Sequence, residues 1–426
     1  MTERDKTLES EQQKTLDNSV RTLFLTKHSP YPPMGGAPLR NWQNINIMMK
    51  FGPVAVFSVS AYKTPQSRQY PPGVAVWKDY NAAEIFPKRS LWRKLEVRLW
   101  RLRFLGHSWA DQFYGDTVAG ELDRLLAEFA PTLVIFEEMW LYRYLKTVKR
   151  YNGLTIYDAH NIETSLTRDL NRSADTNRFT AEAKVLEAKT ASIERYLIQN
   201  ADQIWTCSTE EATSIQQLCD RTPPVYAIAN GVNVADYQGD RIPTIELASN
   251  PFTLLFTASF SYKPNAVAAE ILIDRIYPQL RKQYPDCRLI LAGHSPTPHM
   301  EEAAKIDSGI IVTGKVPDMR PYLAAASVVI VPLLTGGGTR LKILEAFAAR
   351  RPVVSTTKGA EGLNAQDGQH LLIRDSVEEM VAGVSQLWSK PNLVKKLTKS
   401  AAERVKSEYS WEAVGQSVKK AIGDLL

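Results

Sequence analysis

The chain has 426 residues, too many for one ordinary core, and this length favours two or three domains. Its 44% hydrophobic and 23% charged content are ordinary soluble values, and a formal net charge of +6 is too mild to imply bulk nucleic-acid binding. No apolar run approaches the roughly 18–20 residues that cross a bilayer, and the three cysteines (Cys207, Cys219, Cys287) suit neither a disulfide framework nor a metal pattern, which predicts a reduced, cytoplasmic protein.

Residues 1–19 read as a polar tail without the apolar core of a secretory signal. A buried strand is predicted at "VRTLFLT" (Val20 to Thr26), followed by the Pro/Gly-rich loop "KHSPYPPMGGAPLRN", a helical segment, and a strand "VAVFSVS" from Val54. The segment 86–106, "FPKRSLWRKLEVRLWRLRFLG", carries seven Lys or Arg and a single Glu96, with Leu91, Leu95, Leu99 and Leu102 on one helical stripe. Two readings of it stand: a core-packed helix with a solvated basic face, or a helix lying peripherally on an anionic membrane surface. Further strands are expected at "TLVIFEE", "LTIYDAHN", "DQIWTCS" and "VYAIANG", with the longest helix at about 177–200. The polar stretch 233–251 suits a linker. A second series follows in "FTLLFTASF", "CRLILAGH", "GIIVTGKV", "SVVIVPL" and "RPVVSTT".

Strands alternating with helices of this length predict an α/β protein of two Rossmann-like, doubly wound parallel-sheet domains. The expected boundaries are 20–232 and 233–409, with a C-terminal helix at 410–426 packing back on the first domain. Such sheets bind ligands beyond the carboxyl ends of their strands, which predicts a cleft between the two domains as the site.

One stretch carries the chemistry. In "PLLTGGGTRLKILEAFAARRPVVSTT", Gly336, Gly337 and Gly338 follow a strand and precede a helix expected to begin near Thr339. Unpartnered helix-end amides attract anions, and residues without Cβ let an anion approach the backbone. Lys342 and Glu345 are three apart and share one side of the helix, while Ile343, Leu344 and Phe347 cover the other. Amides and an ammonium for phosphate, beside a carboxylate for hydroxyls, suggest a nucleotide or sugar phosphate. The bland alternative is a glycine-rich turn with a surface Lys–Glu pair. The spacing is not that of a Walker A loop.

Taken with "NADQIWTCSTEEATSI", "AIANGVNVADY", "FTASFSYKPNAVAAEIL" and "CRLILAGHSP", this stretch resembles glycosyltransferase family 4, in register from about Val20 to Trp411. The resemblance implies the GT-B fold and metal-independent transfer of a sugar from a nucleotide-diphosphate sugar (UDP- or GDP-sugar), with retention of configuration. The acceptor would be a sugar, a lipid-linked sugar or a small molecule, as in cell-surface polysaccharide or glycolipid synthesis. No cofactor, bound metal or nucleic acid is expected. Glu345 matches the second glutamate of the family's paired motif, which holds the donor ribose; Gly337 stands where the first glutamate would be. That departure passes contact with the donor sugar to the amides of Gly336 to Gly338. For the diphosphate, Lys263 is approximately placed, Arg340 is an alternative, and Lys342 is preferred because it shares the side of Glu345. Gly35, Gly36, Thr339, Val316 and Glu361 are further donor-side candidates, His160 is a candidate contact to the donor sugar or a structural hydrogen-bonder, and Asn161 and Glu163 are acceptor-side candidates. Rival readings are a sugar-nucleotide 2-epimerase, a non-catalytic glycosyltransferase-like partner protein, and a Rossmann dehydrogenase. The last would need a GxGxxG turn that "SPYPPMGGAPLR" lacks.

Overall fold

The computed structural model describes residues 20–33, 35–60, 70–81, 109–173, 181–219, 222–237, 250–338 and 340–426. The polar tail, the basic segment 86–106 and Thr339 lie outside the described residues. The chain divides into two compact units, one of Met1–Ile228 with Gly415–Leu426 and one of Ala229–Val414.

The first unit holds a seven-stranded sheet: β1 (Thr22–Thr26), β2 (Val54–Ser60), β3 (Val76–Asn81), β4 (Leu133–Glu137), β5 (Leu154–Ala159), β6 (Gln203–Thr206) and β7 (Val225–Ala227). Every pairing is parallel, in the order β3-β2-β1-β4-β5-β6-β7. Strands β1, β2 and β4 are buried at every residue, which is why they read as nearly continuous apolar runs rather than alternating ones. Leu23, Leu25, Phe57, Phe136 and Ile204 gather in one core with Leu122 and Leu126 of the helix Asp116–Phe129. The chain end returns to this unit: Gln203 Nε2 donates to the carbonyl of Ala421 at 2.7 Å, and Tyr226 to Asp424 at 2.7 Å.

The second unit repeats the plan with its own core. Its strands are β8 (Thr253–Thr257), β9 (Arg288–Ala292), β10 (Ile310–Gly314), β11 (Val328–Val331), β12 (Val353–Ser355) and β13 (Leu372–Ile373), all parallel in the order β10-β9-β8-β11-β12-β13. After β9 the backbone passes so close to Ala258 that a Cβ on Gly293 would lie 1.7 Å from its carbonyl oxygen, so only glycine fits there. The helix that begins at Lys263 runs on to Gln283 through a π-turn at Leu272–Ile276, just ahead of Pro278. The wider turn accommodates a proline that would otherwise clash with the preceding turn and break the helix.

In each unit the strand order reverses once, between β1 and β4 and between β8 and β11. Connections leave those neighbouring strands in opposite directions and open a crevice at their carboxyl ends. The loops that line the two crevices are those after β1, β4, β8 and β11, and they carry most of the residues singled out from the sequence.

Candidate functional site

In the second unit the glycine loop follows β11, on one side of its crevice. Gly336 and Gly338 have φ of +112° and +76°, conformations that favour glycine. The helix after the loop is Leu341–Ala348, and no side chain caps its N-terminus. Ile343, Leu344, Ala346, Phe347 and Ala348 are buried, which turns Lys342 and Glu345 toward the crevice with partial exposure. From the β8 side the helix Lys263–Ile271 supplies Asn265, whose Oδ1 accepts from Lys342 Nζ at 3.1 Å. The same ammonium lies over the Phe256 ring, 4.2 Å from its centroid. Lys342 therefore bridges the two strands of the switch point.

The electrostatics of this pair are unusual. Burial, reinforced by the Arg340 charge, lowers the Lys342 ammonium to about 7, and Glu345 offsets only part of that. Burial likewise raises the Glu345 carboxyl to about 7, against the opposing effects of a Tyr237 hydrogen bond and the Lys342 charge. Tyr237 Oη donates to Glu345 Oε1 at 3.1 Å. In both groups burial disfavours the charged form, so a charged ligand shifts their protonation.

The remaining donor-side candidates are placed as follows. Arg340, 6% exposed, turns its guanidinium into the loop, onto the carbonyls of Gly336 at 2.8 Å, Lys358 at 3.2 Å and Gly337. Glu361 pairs with Lys358 at 2.7 Å, and its carboxylate is 3.9 Å from Arg340. Lys263 is exposed at the first position of its helix, and Val316 follows β10, two strands away from the switch point.

In the first unit Gly35, with φ +93°, precedes the helix Gly36–Met48 in the loop after β1. A Cβ on Gly35 would meet nothing within 4 Å, so its backbone angle and not a close approach calls for glycine. That helix presents Arg40 and Asn44 to β5. Arg40 grips Asp158 with two bonds, Nε to Oδ2 at 2.9 Å and Nη2 to Oδ1 at 2.6 Å, and Asn44 adds a third at 2.9 Å. His160, 6% exposed, directs Nε2 to Glu137 Oε2 at 2.8 Å and lies 3.5 Å from Asp158 Oδ2. Burial alone would lower the imidazole, but the hydrogen bonds to Asp158 and Glu137 outweigh it and push its pKa up to about 10. Burial raises Glu137 to about 7, while at Asp158 the charges and hydrogen bonds of Arg40 and His160 together outweigh burial and hold it below the usual carboxylate range.

Among the described residues, His160 Nδ1 and Glu137 Oε1 are buried with no hydrogen-bond partner. With Nε2 held by Glu137, the charged imidazole has one N–H left to give, at Nδ1. Glu137, Asp158 and His160 are also close enough to surround a metal ion. Arg40 and His160 already balance the two carboxylates, however, and the Arg40 fork occupies both oxygens of Asp158.

Asn161 Nδ2 donates to Glu163 Oε1 at 3.4 Å. Burial, with the Glu138 and Glu194 charges, raises Glu163 to about 7. Glu194 in turn caps the helix Glu163–Ser173, accepting from the amides of Glu163 at 2.9 Å and Thr164 at 3.2 Å.

Sequence reasoning missed Arg40, Asn44, Glu137, Asp158, Asn265 and Tyr237. A signal existed for two of them. Strands β4 and β5 pair Glu137 with Asp158, and His160 follows directly after the end of β5, two residues beyond Asp158. Acids at the buried ends of adjacent central strands are expected only with partners.

Comparison with known proteins bears on both units. The family model described as "Glycosyl transferases group 1" matches residues 251–390, the span that holds the glycine loop, Lys342 and Glu345. An uncharacterized 44.6 kDa protein in the cps region of Klebsiella pneumoniae is 24% identical over 167 residues, covering 37% of this chain and only 43% of that protein's length. Among solved structures, sucrose-phosphate synthase from Thermosynechococcus elongatus superposes with a TM-score of 0.71 at 15% identity, over 96% of this chain and 99% of that one. Anabaena HepE, crystallised with UDP-glucose, superposes with a TM-score of 0.64 at 13% identity, over 95% of this chain and 100% of that one. The two parallel-sheet α/β units are those of the GT-B glycosyltransferase fold, and the second carries the group 1 match.

Proposed function

We propose that the protein is a retaining, metal-independent glycosyltransferase that moves a sugar from a UDP- or GDP-sugar to a hydroxyl acceptor. One observation carries the reading: a glycine loop, a lysine and a glutamate converge at the β8/β11 switch point, inside the span that matches the group 1 family. The loop amides and Lys342 suit a diphosphate, and Glu345, held from behind by Tyr237, suits the hydroxyls of a ribose. The structural relative HepE was crystallised with UDP-glucose, which supports a uridine donor as the first to try.

Bond breaking leaves negative charge on the nucleoside diphosphate, and preorganised amides with a desolvated ammonium stabilise that charge. Burial disfavours the charged form of Lys342 before ligand arrives, and the diphosphate favours it. The acceptor hydroxyl attacks from the face the leaving group vacates, and its proton passes to the departing phosphate. No side-chain nucleophile is assigned. His160 Nδ1 is the first unit's donor to a sugar hydroxyl. Among acceptors, a sugar on a lipid or polysaccharide is the class we favour.

The test is a thermal-shift and turnover screen with UDP-, GDP-, ADP-, dTDP- and CDP-sugars, with and without EDTA. A shift confined to one base, unaffected by EDTA, and release of that nucleoside diphosphate only with an acceptor present are expected. Slow UDP release without an acceptor would indicate the 2-epimerase instead. Binding with no turnover would favour a non-catalytic partner, the reading that glycine at position 337 supports.

A further inference from the structure

We propose that Arg340 is a positioning residue that clamps the glycine loop from behind, so that the amides of Gly337 and Gly338 face the donor's phosphates. This rests on the nucleotide-sugar reading above. Arginine is rarely buried without a partner, and Arg340 is 6% exposed. Its guanidinium donates to backbone carbonyls: Nη1 to that of Gly337, and Nη2 to those of Gly336 at 2.8 Å and Lys358 at 3.2 Å. The Glu361 carboxylate is 3.9 Å away and closer to Lys358.

Peptide geometry supplies the consequence. The one cis bond among the described residues is Tyr31–Pro32, so the peptides of the loop are trans, with carbonyl and amide pointing in opposite directions. Drawing the carbonyls of Gly336 and Gly337 onto the guanidinium turns the next two amides, those of Gly337 and Gly338, the other way. Successive amides on one side of a glycine loop form an anion-binding concavity. A cation behind the carbonyls also polarises these peptides and strengthens the amides as donors. Arg340 therefore acts on the phosphates through two peptide planes and not as a direct ligand. A glutamate side chain at 337 would place negative charge beside those amides, and glycine removes it.

Lysine has the charge but not the planar fork that spans several carbonyls, so Arg340→Lys separates clamping from charge. Gly336→Ala tests the loop with Arg340 intact, because φ +112° and a Cβ placed 3.2 Å from Tyr262 Oη strain it. Wild type, Arg340→Lys and Gly336→Ala are titrated with UDP, GDP, ADP, dTDP and CDP and with the matching nucleosides. Amide hydrogen exchange across 332–338 is followed without ligand. Both variants are expected to bind the cognate nucleoside diphosphate about tenfold or more weakly, to bind the nucleoside as wild type does, and to exchange faster in the loop. Arg340→Lys binding the nucleotide like wild type would overturn the clamp, as would equal loss of nucleoside and nucleotide. If no nucleotide binds wild type, the donor reading fails, and unchanged exchange in Arg340→Lys would then overturn the clamp separately. Should Arg340→Lys not fold, Gly336→Ala decides by the same criteria.

Discussion

On the reading proposed above, Lys342 is the residue on which the second unit's chemistry turns. Its ammonium bonds Asn265 and lies over Phe256 in a site that already disfavours its charge. Lys342→Ala removes a charge-assisted bond to the diphosphate worth roughly 1.5–3 kcal/mol, so donor binding or turnover should fall about 10- to 150-fold. Unchanged kinetics in that variant would remove Lys342 from the site. The same desolvation makes binding linked to protons. A diphosphate favours charged Lys342, raising its pKa from about 7, so binding above pH 7 takes up a proton. Hydroxyls donated to Glu345 favour its carboxylate, lowering its pKa from about 7, so binding below pH 7 releases one. Calorimetry of UDP in buffers of different ionisation enthalpy, at pH 6 and pH 8, should show opposite signs, and no buffer dependence would refute the linkage. Lys342 and Glu345 were legible from their spacing and from the family resemblance. Asn265 and Tyr237 were not, because they lie 77 and 108 residues from their partners and depend on a fold that periodicity does not specify.

At the level of elements, buried polar pairing fixes the helix Gly36–Met48 on the first sheet. Arg40 and Asn44 are one turn apart on that helix and converge on Asp158 at the end of β5. Asp158→Asn leaves the guanidinium buried without its counter-charge and should cost about 3–5 kcal/mol in denaturant unfolding of the first unit. The double variant Arg40→Gln, Asp158→Asn should recover much of that, because no uncompensated charge remains. His160 adds a pH signature. Its pKa is raised, from 6.5 to about 10 in the folded state, so its contribution is fully present below pH 6.5 and is lost as pH rises through 10. The first unit's unfolding midpoint should therefore fall from pH 6.5 to pH 9.5, and less so in His160→Gln. All the described strands but β3 and β13 were legible, since parallel strands covered on both faces are apolar runs between glycine- or proline-rich loops; β3, "VWKDYN", has no fully buried residue and β13 has only two residues, so neither gives such a run. The π-turn before Pro278 was not legible either, for it is a local solution to packing that no periodicity encodes.

At the scale of the molecule, two sheets of the same strand order rest on two separate hydrophobic cores. Separate cores predict two cooperative unfolding transitions, and a ligand that binds one unit raises that unit's stability alone by mass action. The groups assigned above to the nucleoside diphosphate, Lys342 and the glycine loop for its phosphates and Glu345 for its ribose, all belong to the second unit. A nucleoside diphosphate at 100 times its Kd should therefore stabilise that unit by about 2.7 kcal/mol. Hydrogen-exchange mass spectrometry resolves the two: protection should rise in 250–414, most at the loop after β11 and around Asn265, while 133–160 exchanges as before. Arg40 and His160 lie against the Asp158 and Glu137 carboxylates, so on the metal-independent reading proposed above EDTA should leave both transitions in place. A nucleotide that protected 133–160 and left 250–414 unchanged would move the donor to the first unit and overturn the assignment of Lys342 and Glu345. Loss of the first transition in EDTA would instead make Glu137, Asp158 and His160 the ligands of a structural metal.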